Sequence, residues 1–205
     1  MVKSFHKFNY DTEWRKNLAS LITPLCDFGW KAKDFNLLST DGSYWTPSKA
    51  LGKKGLVVMF ICNHCPYVKA ILDRLIIDIE ELSTIGVNGI AISSNDVENY
   101  PDDSYENMQK ISSERNFNFP YLFDGTQQVA KDYNAICTPD FFGFNQQLEL
   151  QYRGRFDSTG RGEPSESYER DLFNAMKLIA KTNSGPVEQL HSIGCSIKWK
   201  EINQI

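Results

Sequence analysis

Two cysteines with two residues between them, Cys62 and Cys65, are the part of this sequence best equipped for chemistry. A pair at that spacing closes into a disulfide when the chain turns into a helix there. A thiolate, once formed, is the nucleophile of thiol–disulfide exchange. The neighbours supply the turn. Leu56 to Ile61 is an apolar, β-favouring run that reads as a central strand covered on both faces. Pro66 suits a first helical turn, where an N–H is not needed. From Tyr67 to Ser83, Val68, Ile71, Leu72, Leu75, Ile76, Ile79 and Leu82 recur at helical spacing. The first sulfur is therefore expected near a helix N-terminus, where free N–H groups and the helix dipole favour thiolate over thiol. Cys65, inside the first turn, is expected to be the more buried of the two. His64, between them, can stabilise the Cys62 thiolate by charge or hydrogen bond, which makes the disulfide easier to reduce.

Metal binding is the rival chemistry. Cys62 and Cys65 with His191 and Cys195 have ligand spacing that suits zinc or copper. Cys26, near the end of a predicted helix, reads as structural. Gly52-Lys-Lys-Gly55 reads as a turn, and with no Gly-rich phosphate loop in sight, no cofactor is expected. A third possibility is an adaptor using the Phe-rich run Phe141, Phe142 and Phe144 as a docking surface, but alternation in a hairpin strand places such residues in a core.

Further elements must hold these residues. Residues 11–26 read as an amphipathic helix through Trp14, Leu18, Leu21, Ile22 and Leu25. Asp34 to Tyr44 reads as two short strands around Thr40-Asp41-Gly42-Ser43. Val87 to Ser93 is a second buried strand, and Asp102-Asp103-Ser104 reads as the cap of a helix reaching Arg115. Tyr121 to Phe123 is short and extended, Gln127 to Tyr133 a short helix. Phe141 to Phe144 and Leu148 to Arg153 form a hairpin, and Tyr168 to Ala180 is the last clear helix. The order of strands and helices implies an α/β sandwich with a mixed sheet.

At 205 residues, with 41% hydrophobic and 23% charged, the chain is long and apolar enough to bury a core as one domain with room for an insertion. The predicted organisation is a helical N-terminal extension (1–26), a main domain (27–182) and a tail (183–205) packed on it. A net charge of −4 argues against nucleic-acid or anionic-membrane partners, which call for a basic face. No apolar stretch approaches the ~20 residues of a membrane-spanning helix. The polar start, without the apolar core of a signal peptide, and the odd count of five cysteines point to a cytoplasmic protein rather than a secreted disulfide scaffold.

Strand, Cys-x-x-Cys, proline and helix together resemble the thioredoxin fold. Lys33-Asp34-Phe35-Asn36-Leu37 with Asp41-Gly42 resembles the entry hairpin of peroxiredoxins and of membrane-anchored thioredoxin-like reductases. Phe119 to Asp124 and Val129 to Tyr133 resemble the region after the inserted strand–helix unit of that superfamily. The set Cys62-Asn-His-Cys-Pro-Tyr-Val, Ile92-Ser-Ser-Asn-Asp and Cys137-Thr-Pro-Asp-Phe-Phe is similar to a peroxiredoxin-like subfamily of the alkyl hydroperoxide reductase and thiol-specific antioxidant superfamily.

That resemblance implies a thioredoxin-like three-layer α/β/α sandwich with a central mixed sheet, an N-terminal hairpin extension and a C-terminal tail. It implies that Pro139 is the cis-proline beside the Cys-x-x-Cys and that the backbone of Thr138 binds partner peptides. The peroxidatic pattern of Pro, three residues, Thr or Ser, two residues and Cys is missing: counted from Cys65 those positions hold Val58 and Cys62, counted from Cys62 they hold Gly55 and Met59. Thiol–disulfide exchange by Cys62 and Cys65, tuned by His64, is therefore the favoured expectation. The substrate would be a disulfide-containing protein or small molecule and the reductant a cellular thiol. The alternative within the family is a thiol peroxidase in which Cys137 or Cys195 resolves the oxidised cysteine.

Overall fold

A computed structural model of the chain describes residues 20–201. The strands are β1 (Ser20–Ile22), β2 (Leu37–Ser39), β3 (Tyr44–Trp45), β4 (Gly55–Phe60), β5 (Val87–Ser93), β6 (Tyr121–Phe123), β7 (Cys137–Thr138), β8 (Asp140–Asn145), β9 (Leu150–Gly154) and β10 (Ile193–Ser196). The helices are α1 (Pro47–Ala50), α2 (Pro66–Thr84), α3 (Tyr105–Glu114), α4 (Gln128–Asp132) and α5 (Asp171–Thr182), with a single 3-10 turn at Pro101–Asp103.

β4 is an interior strand of a seven-stranded mixed sheet ordered β3-β2-β6-β5-β4-β8-β9. It runs parallel to β5, with Gly55 opposite Val87, and antiparallel to β8, with Phe60 opposite Asp140. Every residue of β4 is buried, as an apolar run without alternation requires when both faces are covered. The pleat sends Val57, Met59 and Ile61 to one face, against Ile71, Leu75 and Ile79 of α2 and Leu172 and Met176 of α5. Leu56, Val58 and Phe60 go to the other, against Phe35, Ala130 and Tyr133. The result is the expected mixed α/β sandwich. The Phe-rich run is core: Phe141, Phe142 and Phe144 lie in β8, buried between β4 and β9.

A second, three-stranded sheet is ordered β1-β10-β7. It corrects two expectations. Ser20–Ile22 is a strand paired with Ile193 to Cys195, not the last part of a helix; residues 11–19 of that predicted helix lie outside the described residues. The tail carries a strand of its own, and a two-residue span, Cys137–Thr138, is its partner. Neither pairing has a local signal, because each joins segments more than 50 residues apart.

Arg153 and Lys198 are also not the solvated charges that their residue types suggest. Arg153 is 5% exposed and paired with Asp140 at 2.9 Å. Lys198 is buried, and its backbone N–H donates to Asn95 Oδ1 at 2.9 Å. No helix among the described residues is long and apolar enough to cross a membrane.

Candidate active site

The parallel strands β4 and β5 end on the same edge of the sheet, the edge where α/β proteins gather ligand-binding groups. Cys62 follows β4 after one residue, Ile61, and Ser94, Asn95 and Asp96 follow β5. Pro66 takes the first position of α2, as its missing N–H allows, so the helix cap is Cys65. This differs from expectation in one respect: the sulfur at the helix N-terminus belongs to Cys65, and Cys62 lies three residues earlier. Both thiols are buried, Cys65 completely and Cys62 to 2% exposure.

Protonation follows that placement. The Cys65 thiol is held far below the ordinary thiol range, first by the S–H of Cys195 and then by that of Cys62, against the cost of its burial. Cys62 is pushed well above that range by its hydrogen bond to Cys65, by burial and by the negative charge of Asp103. Cys195 is raised for the same first reason, its bond to Cys65. The direction of these shifts makes Cys65 the sulfur of the three that most readily carries a negative charge. The sequence expectation put this charge on Cys62. The difference is physical: Cys62 faces a carboxylate, while Cys65 faces thiol donors at the start of a 19-residue helix.

Asp103 organises the loop between the thiols. Its Oδ1 accepts from the backbone N–H of Asn63 at 2.8 Å and of His64 at 3.2 Å. Its Oδ2 takes His64 Nδ1 at 2.6 Å and the Asn95 side chain at 2.8 Å. Burial pushes this carboxyl up, but the hydrogen bonds from His64, Asn95 and Asn63 outweigh it, and Asp103 ends below the usual carboxylate range. An ionised carboxylate only accepts, so the shared proton is carried by Nδ1. His64 Nδ1 is 4.0 Å from Cys62 Sγ but committed to Asp103, which leaves Nε2 as the nitrogen able to exchange a proton. The imidazole also stacks on Tyr100 at 5.5 Å between centroids. Asn63 is held from its far end by Tyr121 Oη at 3.0 Å.

The second wall of the site is the Thr138–Pro139 peptide, which is cis as expected. Thr138 Oγ1 lies 3.4 Å from Cys62 Sγ, and the Cys65 S–H donates to the Thr138 carbonyl oxygen at 3.1 Å. The partner-binding role implied for its backbone meets an obstacle: that backbone already pairs with β10, Cys195 opposite Thr138. Beside Pro139 an open cleft of about 310 Å³ remains, walled by Tyr67, Ile71, Phe156, His191 and Ile193.

The pleat separates the remaining cysteines. Opposed residues of an antiparallel pair share a face, so Cys195 and Thr138 turn to the thiol pair, and Cys137 and Ser196 turn away. Cys137 has its Sγ 3.6 Å from the Pro139 carbonyl oxygen, and burial raises its pKa. The structure therefore brings Cys195 to the pair and holds Cys137 apart from it. Cys26 is elsewhere, raised to about 11 by burial. His191 of the expected metal set does not join the thiols either: its Nδ1 bonds the Thr23 carbonyl oxygen at 2.6 Å, and among the described residues it belongs to no group of three whose ligand atoms converge. Among the described residues, a different trio, Cys62, His64 and Asp103, puts its ligand atoms within 4.8 Å of one another. Two of those atoms are already hydrogen-bonded together, so an ion would have to displace that bond.

Sequence reasoning missed Asp103, Asn95 and Tyr100. Asp103 was visible as part of Asp102-Asp103-Ser104, but that signal was absorbed by helix capping, a role that Ser104 fills alone through Asn107 N–H. Asn95 sits at the end of a β5-like run, a position with a functional prior in α/β sheets.

Comparison with known proteins gives a consistent picture. The model of the AhpC/TSA family matches residues 28–156. An uncharacterized conserved protein from Geobacillus kaustophilus is 38% identical, over 90% of this chain and 98% of its own, with a TM-score of 0.85. A hypothetical protein from Sinorhizobium meliloti 1021 is 34% identical, over 89% of this chain and 98% of its own, with a TM-score of 0.81. The thioredoxin domain of a thiol-disulfide oxidoreductase from Bacteroides vulgatus is 15% identical, over 75% of this chain and 97% of its own, with a TM-score of 0.58, a likeness of fold. No curated protein matches.

Proposed function

The chain belongs to the AhpC/TSA family, and from that premise we propose that it is a thiol–disulfide oxidoreductase working through Cys62 and Cys65 on a protein or small-molecule disulfide. A cellular thiol restores the reduced pair. The observation that carries this reading is the pair of buried sulfurs at a strand-to-helix junction, with Thr138 and the cis Pro139 against them.

The chemistry follows from that arrangement. Cys62, the outer sulfur, attacks one sulfur of the substrate disulfide, and its proton passes to the Cys65 thiolate. The substrate S–S bond breaks, and the released sulfur leaves with the bonding electrons and is protonated. Cys65 then gives up its proton and attacks Cys62 Sγ. The mixed disulfide breaks, the second substrate thiolate leaves and takes the proton, and Cys62–Cys65 is the oxidised product. Asp103 is a positioning residue: it fixes the two amides of the loop and the His64 ring. His64 Nε2 serves as the proton outlet toward solvent. The cleft beside Pro139, walled by Tyr67 and Phe156, suits an apolar side chain flanking the substrate cysteine. The expected setting is cytoplasmic, without nucleic-acid or membrane partners.

The test is a titration of the full chain in dithiothreitol redox buffers, with each cysteine mapped by differential alkylation and mass spectrometry. A reversible disulfide leaving from Cys62 and Cys65 is expected, and Cys65→Ser should accumulate a mixed disulfide at Cys62. Cys62 and Cys65 remaining alkylatable at every potential would overturn the proposal.

A further inference from the structure

The edge beside the thiol pair is occupied by the protein's own tail. β10 lies antiparallel along β7 and is fastened on both sides of Cys195. Ser192 Oγ donates to the Pro139 carbonyl at 2.9 Å, and the Ile197 N–H donates to the Ile136 carbonyl at 3.0 Å. Close approach depends on Gly194, where a Cβ would run into the Thr138 carbonyl oxygen. Beyond the strand, the Lys198 N–H bonds Asn95, the same side chain that bonds Asp103. The register puts Cys195 opposite Thr138, on the face where Thr138 meets Cys62 and Cys65. Cys195 is 2% exposed and packs in the same core cluster as both. Cys195 and Cys65 lie close enough for each to shift the protonation of the other.

We infer that Cys195 is a third redox-active thiol, which takes the disulfide over from the pair and stores it as Cys65–Cys195. This deepens the exchange reading and rests on it. Once Cys62–Cys65 has formed, Cys195 loses its proton and attacks Cys65 Sγ. The Cys62–Cys65 bond breaks, the Cys65–Cys195 bond forms, and Cys62 leaves with the bonding electrons and takes up the proton. Nothing is oxidised or reduced overall, because the substrate disulfide has already accepted the two electrons. The product has a free Cys62 and a β10 covalently fastened to the start of α2. Cys137, on the far face of the same strand pair, takes no part.

The test uses the full chain, partly oxidised with oxidised dithiothreitol, quenched in acid and mapped by differential alkylation. The wild type should contain two isomers, Cys62–Cys65 and Cys65–Cys195. Cys195→Ser should keep the first isomer and lose the second. Cys62→Ser should form Cys65–Cys195 in the buffers that oxidise the wild type. Cys62–Cys65 as the sole disulfide of the wild type, with Cys195 fully alkylated throughout, would overturn this inference while leaving the exchange reading intact. Absence of Cys62–Cys65 itself, including from Cys195→Ser, would overturn both.

Discussion

The loop from Ile61 to Cys65 and the strand pair β7–β10 each bring a thiol to the same spot, and they do it by opposite means. The loop is built from five consecutive residues between a strand and a helix, and a buried carboxylate, Asp103, closes it by gripping two of its amides. The strand pair is built from segments near positions 138 and 195, held by main-chain pairing and by a glycine with no side chain to keep them apart. Charge follows the same division. On the loop side, at a helix start, the neighbouring thiols Cys195 and Cys62 lower the Cys65 pKa. On the strand side both thiols are raised, Cys195 by its neighbour Cys65 and Cys137 by burial. A reactive thiol is made by local geometry; whether it has a third sulfur as partner is decided across the chain.

The largest effect should come from the loop's own chemistry. Cys62→Ser should abolish turnover of a chromogenic disulfide, since serine at the same place is no nucleophile at neutral pH; substantial residual turnover would transfer the attacking role to Cys65. Next is the grip on the loop. Asp103→Asn can keep an oxygen for the two backbone N–H groups, but its amide donor then faces His64 Nδ1 and the Asn95 amide, so it should cost about 2–4 kcal/mol of stability by denaturant unfolding. It should also slow exchange by loosening His64; wild-type stability and rate together would show that the loop stands without Asp103.

The same residue sets a pH signature. Its folded pKa lies below the ordinary carboxylate value of 3.8, so its contribution is present above that value and is lost as pH falls through the folded pKa. Wild type should therefore lose stability on acidification below pH 3.8 more steeply than Asp103→Asn. Asp140 goes the other way: burial lifts it to about 6 despite Arg153, so its contribution is present below pH 3.8 and fades as pH rises through about 6. Parallel acid unfolding curves for wild type and Asp103→Asn would contradict the assignment.

On the strand side the expected effects are smaller. Gly194→Ala forces a methyl against the Thr138 carbonyl and should cost about 1–3 kcal/mol. It should also lower the yield of Cys65–Cys195 while sparing Cys62–Cys65, read by the same alkylation mapping. Equal yields would mean that β10 tolerates the shift and that the glycine is incidental. The smallest effect is expected at Cys137→Ala: about 1 kcal/mol from a lost buried sulfur, and unchanged turnover. A tenfold loss of turnover would put Cys137 back among the working thiols.

What could be read from the sequence was what neighbouring residues decide together. The apolar run before Cys62, the proline after Cys65 and the helical spacing from Val68 to Leu82 specify strand, turn and helix over about 30 consecutive residues. Those local preferences placed the thiol pair, and the resemblance carried by Cys137-Thr-Pro supplied the cis peptide. Tertiary structure alone decided the rest. It made Cys65 the helix cap and gathered Cys195 and Cys62 around it, so that the lowered thiol is Cys65 rather than Cys62. It drew Asp103 and Asn95 from the connection after β5, 30 to 40 residues from the loop they hold. It paired the tail with Cys137–Thr138 in a register that turns Cys195 toward the pair and Cys137 away. A one-residue slip in that register would exchange the two faces, and nothing within either short segment fixes it; only the packing of both against the finished domain does.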